Sequence, residues 1–154
     1  MDKNDCILYP NQYNFLYITS YFALFTSLYA FYNGYYDFAF INIFIFITSI
    51  NYWRKPDYSW RRYVDIFAVN IAFLYYIIRA YKSQNYLLYY GLFFICVICY
   101  IIGILYHKKK MYWHSTYSHS MIHIFANIAH IILYSGYVVP VPSNPILSYF
   151  SYFK

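Results

Sequence analysis

Long apolar runs, broken by short polar segments, make up most of this chain. Each run approaches the roughly 20 residues that a helix needs to cross a hydrocarbon core about 30 Å thick, and is too long for a barrel strand. The connecting segments read NGYYD, RKPDYSWRR, KSQN and HKKKM, and none resembles a domain linker. The pattern therefore predicts an all-α fold, a polytopic bundle of about five membrane-spanning helices in a single domain over residues 1–154. The predicted spans cover about residues 13–33, 38–53, 63–81, 86–106 and 113–136.

The composition also indicates a lipid-exposed protein. The chain is 62% hydrophobic and 28% aromatic. Its charged fraction of 10% is well below the roughly 25% of soluble domains. Three prolines, Pro140, Pro142 and Pro145, follow the last apolar run. Because proline interrupts helices and aromatic side chains favour the membrane interface, we expect residues 137–154 to lie along the interface instead of crossing the membrane.

Basic residues are concentrated in two of the connections. Arg54, Lys55, Arg61 and Arg62 follow the second predicted span, and the lysines at 108–110 follow the fourth, so both groups share one side of the membrane. By the positive-inside rule that side is cytoplasmic, which predicts an integral, multi-pass membrane protein with a cytoplasmic N-terminus. The net charge of +6 is then mainly a topology signal. A nucleic-acid surface would need basic residues over a soluble face with stacking aromatics, so we expect membrane lipids as partners and no nucleic acid.

The fifth span carries a stripe of polar side chains. At about 100° per residue, His119, His123, His130 and Asn127 fall within roughly 80° of one another around a helix. Such a stripe is costly against lipid, so it should face the bundle interior or a water-filled cavity. His119 and His123 also have the spacing by which one helix presents two imidazoles to a metal ion. Alternatively, the histidines only bridge helices by hydrogen bonds, and the spacing leaves both interpretations open.

Polar residues from two other spans lie at the same depth. Ser49 is near the cytoplasmic end of the second span, and Asp65 is within a turn of the start of the third. His119 and His123 lie about one and a half to three turns below the same surface. We therefore expect side chains from three helices to surround one interior cavity. Taken singly, Ser49 also suits helix packing, and Asp65 also suits a helix N-terminus beside the neighbouring arginines.

The three cysteines give a weaker signal. Cys96 and Cys99 form a C-x-x-C inside the fourth span, and Cys6 lies in the N-terminal segment. The pair could serve a redox or metal function, but its apolar surroundings favour the interpretation that both are small apolar fillers in a lipid-embedded helix.

Taken in order, the polar residues resemble the motifs of the membrane hydrolase superfamily that contains the alkaline ceramidases and the progestin and adipoQ receptors. S-I-N-Y-W at residues 49–53 is similar to its Ser-x-x-aromatic-His motif. Asp65 matches its Asp at the start of the next span, and H-S-M-I-H at 119–123 matches its HxxxH pair. The resemblance implies that His119 and His123 bind zinc, and that Ser49 and Asp65 support the metal-bound water. Trp53 stands where the pattern has its third zinc-binding His, and indole cannot replace imidazole as a ligand.

A third zinc ligand must then come from another position. Asp65 and His114 both carry suitable atoms near the right depth. His114 lies about −140° around the helix from His119, so Asp65 is the expected ligand. Zinc held by three protein ligands lowers the pKa of a bound water to roughly 7, and the hydroxide can attack a carbonyl. Asp65 would take the proton and Ser49 would orient the water or stabilise the oxyanion, and the depth of the site predicts a lipid amide or ester as substrate.

Two other classes of function remain open. A catalytically inactive structural or scaffolding membrane protein, for example a viral one, is favoured by Trp53. A small transporter or channel would favour spans broken by Gly or Pro and inverted repeats, and the sequence displays neither feature. The zinc content of the purified protein separates hydrolase from scaffold, because an inert scaffold has no reason to hold stoichiometric metal.

Overall fold

Five α-helices make up the computed structural model of the protein, which describes residues 6–81 and 83–139. They are α1 (Pro10–Tyr32), α2 (Tyr36–Trp53), α3 (Trp60–Ala80), α4 (Tyr86–Lys108) and α5 (Tyr112–Ser135). No strand occurs within the described residues. The all-α fold is thus confirmed, and each predicted span overlaps one helix. Of the predicted interfacial tail, residues 137–139 are non-helical, and residues 140–154 lie outside the described part of the chain.

Local sequence determines where α1 begins and ends. Pro10 occupies the first turn, where its missing N–H leaves no hydrogen bond unmade. The Gln12 side chain accepts a hydrogen bond from the Tyr9 N–H at 3.1 Å. At the other end Gly34 has a φ of 79°, a conformation that glycine adopts without steric cost. The chain can therefore reverse directly from α1 into α2.

The helices form a ring in chain order. α1 packs against α2, α2 against α3, α4 against α5, and α5 against α1. Aromatic side chains connect α3 to α4. The rings of Phe73 and Phe93 are 4.9 Å apart between centroids, and the Tyr90 hydroxyl donates to the Ile77 carbonyl at 2.7 Å. These contacts lie in the half of the bundle, along its length, that contains the end of α3 and the start of α4.

Contacts between helices define the two ends of the bundle. α1 and α5 run parallel, because Phe15 packs on Tyr117 near their starts and Thr26 bonds to Asn127 further along. The Ile7 N–H donates to the Pro56 carbonyl at 3.0 Å, which joins the N-terminal segment to the α2–α3 connection. We call this the basic end, because the connections at 54–59 and 109–111 both lie there. The two basic groups of the sequence therefore share one end of the bundle.

Apolar side chains cover the outside of the ring. α1, α3 and α4 are each long and apolar enough to cross a membrane. Large side chains such as Ile18, Leu74 and Phe94 are 60–66% exposed, whereas Ala30 and Ala72 are buried inside the ring. A soluble protein rarely exposes so large a contiguous apolar surface. The distribution is that of a membrane protein.

Candidate functional site

Two cavities lie inside the helix ring. The inner cavity, of about 140 Å³, is lined by side chains from every helix, among them Thr19, Ser49, Ala72, Cys96 and His123. The basal cavity, of about 470 Å³, lies at the basic end, where the N-terminal segment meets all five helices. Each of the four site residues predicted from the sequence lines one of these two cavities.

A hydrogen bond joins Ser49 to Asp65. The Ser49 Oγ donates to Asp65 Oδ1 at 2.7 Å, across α2 and α3. Both residues are buried, with exposed fractions of 6% and 7%. Ion pairs among the described residues involve Asp37 and Asp57 but not Asp65, so the neighbouring arginines do not neutralise it. Asp65 is therefore a buried carboxyl group with a hydroxyl donor and no cation, which is a costly arrangement within a membrane bundle.

Trp53, His119 and His123 form a row of rings, which we call the ring row. The centroids of Trp53 and His119 are 4.9 Å apart, and those of His119 and His123 are 5.1 Å apart. Position 53, which the resemblance assigns to a third ligand, thus lies beside the first histidine but carries indole. Trp53 is 7% exposed, and its Nε1–H has no acceptor among the described residues. His119 is half-buried and forms no hydrogen bond within the described part of the chain.

His123 is attached to α1 through one ring nitrogen. Its Nδ1 lies 2.9 Å from Thr19 Oγ1, and Thr19 donates to the Leu16 carbonyl at 3.1 Å. A hydroxyl has one proton to donate, so when Thr19 donates to Leu16 the imidazole supplies the hydrogen between Nδ1 and Thr19. The lone pair of His123 is then on Nε2. Fixing one ring nitrogen in this way orients a histidine whose other nitrogen binds a metal or accepts a proton.

The predicted polar stripe of α5 faces the interior of the ring. Thr26 Oγ1 donates to Asn127 Oδ1 at 2.7 Å. His130 is 6% exposed and lines the inner cavity. The inward direction of the stripe is therefore confirmed. Helix-bridging hydrogen bonds, the alternative to metal binding, occur at His123 and Asn127, and none occurs at His119 within residues 6–81 and 83–139.

The four predicted site residues do not share a single cavity. Ser49 and His123 line the inner cavity, whereas Asp65 and His119 line the basal cavity. Ile122 borders both cavities, and it lies about −60° around α5 from His119, on the same side of the helix. The polar periodicity does not reveal this aliphatic side chain between the two halves of the site. The structure thus corrects the expected single cavity to two adjoining ones.

The side chains present do not complete a zinc site in this arrangement. Within residues 6–81 and 83–139, no three His, Cys, Asp or Glu side chains gather closely enough to hold a metal ion. Zinc sites in proteins normally have at least three protein ligands. His119 and His123 supply two adjacent imidazoles, and Trp53 occupies the neighbouring position without a ligand atom.

Cationic side chains surround the mouth of the basal cavity. Arg62, whose guanidinium lies 5.1 Å from the centroid of the Tyr58 ring, and Lys108 both line it. Arg61 instead pairs with Asp57 at 2.6 Å. Burial raises the pKa of Asp57, but hydrogen bonds from Arg61 and the loop outweigh that effect and lower the pKa below its usual value. Arg62 and Lys108 have no acidic partner among the described residues.

His114 and the cysteines lie apart from the ring row. His114 is exposed and packs on Tyr106 with ring centroids 5.1 Å apart, so it points away from the stripe as predicted. Cys96 lines the inner cavity and Cys99 the basal cavity. Both are free thiols, and they face different spaces.

Sequence reasoning did not find the buried polar network beside the inner cavity. The Tyr76 hydroxyl donates to Asn42 Oδ1 at 2.7 Å, and Asn42 Nδ2 donates to the Tyr134 hydroxyl at 2.9 Å. His130 stacks on Tyr76 with centroids 4.1 Å apart. Nothing in the pattern distinguishes these two tyrosines within a total of 25. Asn42 is the signal that could have found the network, because a buried amide needs partners on neighbouring helices.

Comparison with protein-family models, with curated proteins and with solved structures gives no match for this chain.

Proposed function

We propose that all five helices span the membrane, with the basic end in the cytoplasm. α2 and α5 are not among the three helices that are apolar enough to cross a membrane by composition alone. Their polar residues Asn42, Ser49, Thr116 and His130 are, however, all buried. The exposed positions of these two helices include large apolar side chains: Phe40, Ile43, Phe44, Ile47, Met121, Ile128 and Ile131. The 18 residues of α2 rise about 27 Å, close to the thickness of the hydrocarbon core. The basic connections at one end support the cytoplasmic assignment.

Tag accessibility tests this topology. Tags at the N-terminus and after Lys110 should both be accessible from the cytoplasm, and a tag after Lys154 should be accessible only from the other side. Termini on the same side would contradict five spans.

We propose that the protein binds a membrane lipid amide or ester in the basal cavity. The observation that supports this most directly is Asp65, a buried carboxyl group without a cation that lines a cavity of about 470 Å³. Cavities of roughly 300–1,000 Å³ are typical of small-molecule sites. Ile66, Tyr100 and Ile104 line the cavity and are also 39–56% exposed on the outside of the bundle. They provide an apolar route from the surrounding lipid to Asp65.

The polar groups of the basal cavity suit the linkage region of such a lipid. The indole N–H of Trp53 can donate to an amide or ester carbonyl, and the Asp65 carboxylate can accept from an amide N–H or a hydroxyl. His119 can do either, depending on its tautomer. These polar groups lie among apolar side chains. The polar linkage and the apolar chains of one lipid can therefore both be accommodated in the same cavity.

Zinc-dependent hydrolysis of the same lipid is the second candidate. The adjacent rings of His119 and His123 favour it, as does the hydrogen bond between Ser49 and Asp65. A bound zinc ion would supply a hydroxide nucleophile. The described side chains leave that ion one ligand short, because Trp53 is the third ring of the row. The arrangement therefore supports a lipid-binding, catalytically inactive membrane protein better than it supports an active hydrolase.

Photocrosslinking tests the lipid site. A ceramide-like amide and a diacyl ester, each with a diazirine in the acyl chain, should label α4 peptides around Cys99 in detergent-purified protein. Cys99→Phe, which fills the cavity, should reduce this labelling severalfold. Ile98→Phe is the matched control, because Ile98 is 40% exposed and faces away from the cavity. Equal labelling of both variants would exclude the basal cavity as the site.

A further inference from the structure

We infer that the lipid in the basal cavity is an anionic phospholipid whose phosphate binds at the mouth, between Arg62 and Lys108. This inference rests on the proposed lipid site and specifies its ligand. Both cations line the cavity, and neither has an acidic partner among the described residues. The carboxyl group of Asp65 lies one turn further along α3, so positive charge is concentrated at the mouth.

The order of side chains with depth matches the order of groups in a phospholipid. Arg62 precedes Asp65 by three residues, which places it about 4.5 Å nearer the end of the bundle. Lys108 is the last residue of α4, and Tyr100, further into the wall, lies about 12 Å deeper along the helix. From the surface inward, a phospholipid presents its phosphate, then its ester carbonyls, then its acyl chains. The cavity presents cations, then polar groups, then an apolar wall.

The unpaired indole N–H of Trp53 independently indicates a bound ligand. Trp53 is more than nine-tenths buried, lines the cavity, and finds no acceptor among the described residues. Buried donors are almost always hydrogen-bonded in proteins. The carbonyl of a lipid ester, bound beside a phosphate held by Arg62, would supply the missing acceptor.

The geometry of Arg62 suits a phosphate on a lipid better than a free phosphate ion. Its guanidinium lies over the Tyr58 ring, which restricts the planar group while leaving its N–H edge available to phosphate oxygens. The remaining wall is mostly apolar, including Ile66, Ile104 and Leu16. A water-soluble phosphate would leave that wall without a partner, whereas acyl chains cover it.

Alkylation of Cys99 provides the test, because this thiol lines the basal cavity. The experiment uses full-length Cys6→Ser protein in a neutral detergent, and Cys99→Ala sets the background from the buried Cys96. The probes are phosphatidic acid, diacylglycerol with the same acyl chains, and glycerol 3-phosphate. The concentration of phosphatidic acid that slows alkylation should be about tenfold lower than that of diacylglycerol, because charge-assisted hydrogen bonds to phosphate are strong. Added salt should reduce this difference in concentration, because ions screen the interaction between the charges.

Matched variants identify the cations involved. Arg62→Gln and Lys108→Gln should each remove most of the preference for phosphatidic acid. Arg54→Gln and Lys109→Gln remove the same charge from exposed positions at the same end that do not line the cavity, so they should leave the preference unchanged. Lys108 is exposed, which keeps its variant informative if Arg62→Gln perturbs the fold.

The possible results separate the inference from the proposed function. Equal protection by phosphatidic acid and diacylglycerol, unaffected by the variants, would overturn the phosphate site and leave the lipid site standing. If no lipid protects Cys99, the lipid site itself is wrong. If glycerol 3-phosphate protects as well as phosphatidic acid, the ligand is not a lipid. Trp53→Phe should weaken the binding of both lipids alike, and a selective loss of phosphatidic acid binding would contradict the assignment of the indole N–H to an ester carbonyl.

Discussion

Replacing Trp53 with His tests whether the ring row is a metal centre that lacks one ligand. Zinc bonds to imidazole nitrogens at about 2.0–2.1 Å, which at a tetrahedral angle places two ring centroids roughly 5.2 Å apart. The His119–His123 separation is 5.1 Å and the Trp53–His119 separation is 4.9 Å. Each neighbouring pair in the ring row therefore has the centroid spacing of two imidazoles on one zinc ion, and residue 53 lacks a ligand atom.

The expected gain in zinc affinity is large. Loss of outer-shell contacts commonly weakens metal sites by 10- to 100-fold, and gain of a direct ligand should exceed that effect. We therefore expect Trp53→His to bind zinc at least about 100-fold more tightly than the unmutated protein, or about 2.8 kcal/mol. The smaller ring leaves space in a buried position, so the metal-free variant should be less stable. Zinc at a concentration of about 100 times its Kd should raise the free energy of unfolding of this variant by about 2.7 kcal/mol.

Competition against a chromophoric chelator in detergent measures the affinity, and thermal unfolding with and without zinc measures the stability. Trp53→Phe is the control, because it keeps an aromatic ring without a ligand atom. In the Trp53→His background, His114→Ala should change nothing and His123→Ala should abolish the gain. Asp65→Ala decides whether this carboxylate is a ligand, since unchanged affinity would reject that assignment. The geometric reasoning fails if Trp53→His binds zinc no better than Trp53→Phe.

Three further predictions concern the scaffold. Asn42→Leu should destabilise the bundle by about 1–3 kcal/mol, because it removes three interhelical hydrogen bonds, each worth about 0.6 kcal/mol on average. Asn70→Leu should be neutral or stabilising, because Asn70 is exposed and bonds only within its own helix. Detergent unfolding monitored by circular dichroism compares the stability of the two variants. Gly136→Ala should lower the melting temperature, because the new Cβ would lie 2.6 Å from a side-chain amide nitrogen, while Gly91→Ala, with no atom within 4 Å, should stabilise α4 by about 0.5–1 kcal/mol. Asp57 has a lowered pKa in the folded state, so its contribution is present above the unfolded pKa of about 3.9 and is lost as the pH falls through the lower folded value. The stability difference between Asp57→Asn and the unmutated protein should therefore disappear in acid, and a difference that persists there would contradict the assignment.

The sequence was sufficient to predict the five helices and the common depth of Ser49 and Asp65, for definable reasons. Apolar runs identify lipid-embedded helices because every backbone polar group must be satisfied within the segment. The observed helix boundaries differ from the predicted ones by a few residues where polar side chains lie in a terminal turn. In α3, for example, Arg61 and Arg62 are part of the helix although the predicted span begins at residue 63. Ser49 and Asp65 were predicted to lie at one depth because each is near the same end of consecutive helices, and they are hydrogen-bonded to each other.

The sequence pattern could not predict which helices pack against each other. Hydropathy gives the depth of a residue but not which helices are neighbours, so the contact of α5 with α1 and the bond from His123 to Thr19 were not anticipated. The same limit applies to Ile122, whose side chain borders both cavities. A period of 3.6 residues identifies the polar face of a helix, but it does not identify an aliphatic residue that intrudes on that face.

The contact between α1 and α5 affects how the protein is made. Thr19 and Thr26 leave the ribosome about 100 residues ahead of their partners His123 and Asn127, an interval of about 5–20 s at usual rates of translation. Until then both hydroxyls can donate to carbonyls of their own helix, because Leu16 O and Ala23 O each lie 3.1 Å from the corresponding hydroxyl oxygen. The first helix therefore has internal acceptors for these hydroxyls before its partner exists, and neither cavity is enclosed until α5 has been synthesised. A nascent chain cannot retain a lipid before its synthesis has passed that point.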